Sequence, residues 1–86
     1  MATDPDPAYI DREALEAQPP LPGRYRHYKG MPYEVVGKAL HSETLEVLVV
    51  YRALYDDGNL WVRPRSMFLE DVEVDGARVP RFAPAD

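Results

Sequence analysis

His41-Ser42-Glu43 brings together the side-chain types of a hydrolytic triad: a hydroxyl, an imidazole and a carboxylate. Consecutive residues of an extended chain point to alternate faces, so three neighbours cannot align nucleophile, base and orienting group. His41-Ser42-Glu43-Thr44 reads instead as a polar connector whose hydroxyls satisfy local main-chain amides. A metal centre would have to join both histidines, His27 and His41, with carboxylates such as Glu43 or Glu46, and nothing in the spacing asks for that arrangement. Gly23, Gly30, Gly37, Gly58 and Gly76 stand singly, without the clustered amides and helix start that cradle a phosphate. Carboxylates are plentiful, but none lies in an apolar stretch that would hold it protonated for acid-base work. No catalytic residue, metal ligand or cofactor is assigned; a non-enzymatic protein is the leading reading, with a small enzyme or metal-binding protein as a distant alternative.

Binding is the chemistry that remains. Aromatic and basic residues interleave at Tyr25, His27, Tyr28 and Lys29, at Tyr51, Arg52 and Tyr55, and at Trp61, Arg63 and Arg65. Rings mixed with arginines form either cores with polar tips or stacking platforms, and a small domain cannot bury them all. The candidate binding residues are therefore Tyr28, Lys29, Tyr33, Tyr51, Arg52, Tyr55, Trp61 and Arg63. The expected partner is a protein or peptide seated on this aromatic and arginine surface. The alternative is RNA or a single-stranded nucleic acid stacked on the rings, which predicts a steep loss of affinity with salt.

These residues need strands to position them. From Gly23 onward, β-branched and aromatic residues alternate between turn signals, the pattern of a small antiparallel domain. Gly23 to Tyr28 forms a first strand, Lys29-Gly30 a turn, and Tyr33 to His41 a second strand that opens after Pro32 and bulges at Gly37. Glu46 to Tyr55 is apolar on both faces, which marks a central strand. Asp57-Gly58 leads into Leu60-Trp61-Val62-Arg63, and Asp75-Gly76 closes a last hairpin. Arg65 to Glu70 reads as one helical turn carrying Met67 and Phe68 inward. Together these elements predict a mostly β fold, a closed or nearly closed SH3-like antiparallel barrel over residues 23–82, with a short tail at 83–86.

Residues 1–22 form an acidic, proline-containing leader, expected to be largely flexible. Within it, Asp11 can cap a helix over Arg12-Glu13-Ala14-Leu15-Glu16-Ala17, which is marginal unless it docks on a surface. The chain has 86 residues, no cysteine and a net charge of −5. Five acids against Arg12 put −4 in residues 1–20, leaving −1 for the rest, so the barrel is nearly neutral and carries no basic stripe that demands a polyanion. Absence of cysteine removes disulfide and thiolate chemistry and fits a reducing cytoplasm. No apolar run approaches the roughly 20 residues of a membrane span, and no export signal is recognisable.

The strings Tyr25-Arg26-His27-Tyr28-Lys29-Gly30, Tyr33-Glu34-Val35, His41-Ser42-Glu43-Thr44, Val49-Val50-Tyr51-Arg52-Ala53-Leu54-Tyr55, Leu60-Trp61-Val62-Arg63-Pro64, Met67-Phe68 and Arg81-Phe82 resemble the bacterial DUF1653 family. The resemblance covers about residues 23–82 and implies an SH3-like barrel. It brings no activity, ligand or catalytic residue, and the leader is not part of it.

Overall fold

The computed structural model describes residues 11–85. Several of its strands begin or end at a glycine or proline, residues poorly able to continue a ladder. β1 (Gly23–His27) turns through Gly30, whose φ of +104° only glycine adopts freely, into β2 (Pro32–Leu40). A polar turn leads to β3 (Val47–Ala53), and the Asp56 to Asn59 loop to β4 (Leu60–Pro64). The helical turn α2 (Arg65–Phe68) follows. β5 (Asp71–Val74) and β6 (Ala77–Pro80) then pair across Asp75-Gly76, both at positive φ as a tight hairpin turn requires. A three-residue strand, β7 (Phe82–Pro84), ends the described chain.

The main sheet is antiparallel in the order β4-β3-β2-β1-β7, with β5-β6 as a separate hairpin. β3 has a neighbour on each side, as its apolar faces predicted. The expected mostly β domain with one short helical turn is therefore present, with seven strands in place of about five. It differs in closure: β4 and β7 do not pair with each other, so the sheet curls about its core with two free edges. β7 was not foreseen, because three residues ending in a proline carry no alternation to read.

One face of the sheet makes the core. Tyr25, Tyr33, Val35, Val49, Tyr51, Ala53 and Phe82 lie on it, and Phe68 of α2 packs down onto them. Phe68 and Phe82 stack with centroids 4.1 Å apart, while Tyr25 and Tyr51 meet Phe68 edge-on. Each such aromatic pair contributes about 0.5–1.5 kcal/mol beyond its buried area. Met67, expected inward beside Phe68, is 45% exposed. A four-residue turn has room to present one side chain to the sheet, and Phe68 takes that place.

The bulge falls where Gly37 predicted it, between Val35 and Gly37. Val36 is the unpaired residue, so the alternation of β2 slips by one and Lys38, opposite Val49, joins the inward face. Lys38 is 2% exposed. The leader covers it. α1 (Arg12–Glu16), whose first turn is capped by Asp11 accepting from the Glu13 amide at 3.1 Å, lies over this part of β2 with Leu15 buried. The short helix expected behind Asp11 is present, and residues 11–22 contact the domain through side chains; residues 1–10 of that leader lie outside the described residues.

Candidate functional site

Tyr33 is the hub of the predicted aromatic set. Its ring meets Tyr51, Tyr55, Phe82 and His27 edge-on, with centroids 5.3, 5.5, 5.6 and 6.4 Å away, and its hydroxyl shares a short hydrogen bond with that of Tyr55. Arg63 reaches over from β4: its Nε–H donates to the Tyr51 hydroxyl at 3.3 Å and its guanidinium carbon stands 5.8 Å from the Phe82 ring centre. Tyr33 and Tyr51 are buried, so the half-buried Tyr55 and Arg63 form the accessible rim. Trp61 pairs with Tyr51 in register and shares its face, yet is 53% exposed.

Four of the eight candidates, Tyr33, Tyr51, Tyr55 and Arg63, are therefore brought together, with Trp61 beside them. Tyr28 and Lys29 sit at the β1–β2 turn, where the Lys29 ammonium lies 5.8 Å from the Tyr28 ring centre and Tyr28 packs on His27. Arg52 stands apart. Its register partner Glu34 alternates with the buried Tyr33 and Val35, so Arg52 projects from the opposite face and donates to the Gly58 carbonyl. Strand parity alone made this legible: Arg52 neighbours the inward Tyr51.

His27 and Phe82 join the site without having been named for it. His27 pairs with Phe82 across β1 and β7, its Nδ1 accepts from the Lys29 amide at 3.2 Å, and the remaining ring nitrogen carries its proton. Burial first, then the cations of Arg63, Arg81 and Lys29, push it below its ordinary 6.5. Burial and the Tyr55 hydroxyl push Tyr33 from 10.0 up to about 12. The site holds neutral rings and hydroxyls under a positive local potential.

His41 accepts from the Glu43 and Thr44 amides through Nδ1, and Thr44 accepts from the Glu46 amide through Oγ1. The segment is a polar connector as expected, but the imidazole does most of the capping and Thr44 supplies the hydroxyl. His41 follows the far end of β2 from His27, so the two histidines do not meet. Among the described residues no cluster of three or more His, Cys, Asp or Glu is placed to hold a metal ion, and no helix is long and apolar enough to cross a membrane.

β4 is a free edge. Ala53 donates to the Asn59 carbonyl and Leu54 to the Pro32 carbonyl, which fixes the alternation of the β3 ladders. Asn59, Trp61 and Arg63 therefore bond to β3, and the main-chain groups of Leu60 and Val62 point away from the sheet. Leu60, Trp61 and Val62 are all exposed.

The family model described as "Protein of unknown function (DUF1653)" matches residues 23–84. Among solved structures, the crystal structure of a DUF1653 protein from Bordetella bronchiseptica is similar at 41% identity and a TM-score of 0.69, over 74% of this chain and 85% of that one. No curated protein matches. The residues that carried the resemblance lie in β1 to β4, α2 and β7 and in the turns that join them, and the chain belongs to DUF1653.

Proposed function

We propose that the domain is a non-enzymatic, SH3-like binding module of the cytoplasm that takes an extended segment of a protein partner along β4. One observation carries this reading: Trp61, the most exposed aromatic ring among the described residues, is 53% exposed on an open edge strand, between Leu60 and Val62 and beside Arg63. Exposed aromatic anchors flanked by arginine are the residues that interfaces are built from. An added strand would bond to the outward amides and carbonyls of Leu60 and Val62, while its side chains meet Trp61, Arg63 and the Tyr55 hydroxyl on the inner face.

The cations do not favour a polyanion. Arg52 projects from the other face, Arg65 donates to a leader carbonyl, and Arg81 is bound to Glu70 at 2.9 Å. Arg63, Lys29 and Arg26 are left near the rings, at two separate places, which is short of the row of cations that a nucleic-acid backbone needs.

The test is affinity capture from a bacterial lysate with the tagged protein, with and without nuclease. Trp61→Ala, Arg63→Glu and Val62→Pro are compared with Arg52→Glu on the opposite face. Val62→Pro removes an outward amide and leaves the β3 ladder whole. A protein captured despite nuclease, lost in the first three variants and kept by Arg52→Glu, supports the reading. Capture of nucleic acid alone, or equal loss with Arg52→Glu, overturns it.

A further inference from the structure

Three successive carbonyls of the leader are each held by a different side chain of the domain. Arg65 Nε–H donates to Pro19, Lys38 Nζ donates to Pro20 at 2.8 Å, and the Tyr25 hydroxyl donates to Leu21 at 2.9 Å. These donors come from α2, β2 and β1, so they define a groove across the sheet. Upstream, Glu16 stands 3.8 Å from the Lys38 ammonium, and its carboxylate fills the space over Gly37, 3.4 Å from where a Cβ would lie. Arg12 donates to the Lys38 carbonyl at 2.8 Å.

Lys38 is the centre of this arrangement. Its side chain is fully buried, and both groups that compensate its charge, the Pro20 carbonyl and the Glu16 carboxylate, belong to the leader. A buried ammonium without such partners is strongly unfavourable. The groove therefore requires an occupant that presents carbonyls and a carboxylate.

The present occupant is attached in a way that permits exchange. Residues 11–22 lie outside the family domain, which begins at residue 23. Among the described residues, no main-chain hydrogen bond joins them to the domain, and Leu15 is not part of the core cluster. Proline supplies a carbonyl with no competing amide donor, so a proline pair suits a seat made only of side-chain donors.

We infer that the groove bounded by Lys38, Arg65, Tyr25 and Gly37 is a peptide-binding site for acidic, proline-containing segments, and that residues 11–22 are its resident ligand in cis. A segment of the same chemistry on another protein, an acidic helical turn followed by a proline pair, enters by displacing the leader. The site does not depend on the role proposed for β4.

The experiment uses a fluorescent peptide with the sequence Asp11 to Pro22, followed by anisotropy on full-length protein. The wild type should bind it weakly, because the tethered leader competes at an effective concentration on the order of millimolar. Leu15→Asp and, separately, Glu16→Arg undock the leader and should tighten binding by at least about tenfold. Adding Tyr25→Phe or Arg65→Ala to either should weaken it by roughly three- to tenfold, the worth of one hydrogen bond. A peptide of scrambled sequence should not bind. Amide spectra report that the domain stays folded and that the leader resonances move. A leader that is released without any gain in peptide affinity, or binding indifferent to Tyr25→Phe and Arg65→Ala, overturns the assignment.

Discussion

His27 and Tyr33 stand with ring centroids 6.4 Å apart, and both are held in their neutral forms. For His27 the folded pKa lies below the 6.5 of the free side chain, so the unfolded chain binds the proton more readily. Its contribution is complete above pH 6.5 and is lost as pH falls from there through the folded value. Replacing His27 with Gln should therefore flatten the fall of the thermal midpoint between about pH 7.5 and 5.5, relative to wild type. An unchanged slope in the variant would show that His27 is free to protonate in the fold. Tyr33 has the opposite sign. Its folded pKa is about 12 against 10.0 unfolded, so its contribution is present below pH 10 and lost as pH rises from 10 toward 12. The phenolate absorbance should show one tyrosine ionising last, and Tyr33→Phe should remove that step. Neither effect was legible in the sequence, because alternation places a residue on a face without saying what stands opposite it.

At the scale of the element, the two short helices show what a pattern can and cannot settle. The Asp11 cap and the helix behind it were readable because a side chain that accepts from its own first turn is local chemistry. The hairpin turns were readable for the same reason. Which side of α2 faces the sheet is a question about three strands meeting it, and there Phe68 and Met67 were indistinguishable. The difference is measurable. Phe68 is 1% exposed and stacked on Phe82, so Phe68→Ala should cost about 3–5 kcal/mol. That is a large share of the roughly 5–15 kcal/mol that holds a domain folded. Met67→Ala, on the solvent side, should change stability by less than about 0.5 kcal/mol. Equal costs in denaturant titration would mean that α2 presents both side chains to the core. The bulge in β2 makes the same point: Gly37 announced it, but its consequence, a lysine buried beneath the leader, needed the register with β3.

At the scale of the whole molecule the structure has two tiers. The sheet is knit by main-chain ladders from β4 through β7, with β3 paired on both sides and Val35, Val49 and Tyr51 at its centre. The leader is held by side chains: one buried leucine, three donors to carbonyls and the Glu16 carboxylate near Lys38. A five-residue helix has little stability of its own, since it scarcely repays its nucleation. Regions that rest on few buried contacts open by local fluctuation, well below the free energy of global unfolding. Amide hydrogen exchange on the intact protein should therefore divide sharply. The α1 amides of Leu15 and Ala17, which bond to Asp11 and Glu13, should exchange orders of magnitude faster than those of Val49 and Tyr51 in β3. Dilute denaturant should leave the fast set almost unchanged and accelerate the slow set, because opening the leader exposes little surface and unfolding the sheet exposes most of it. If both sets exchanged together with the same denaturant dependence, the leader would be an integral layer of the fold.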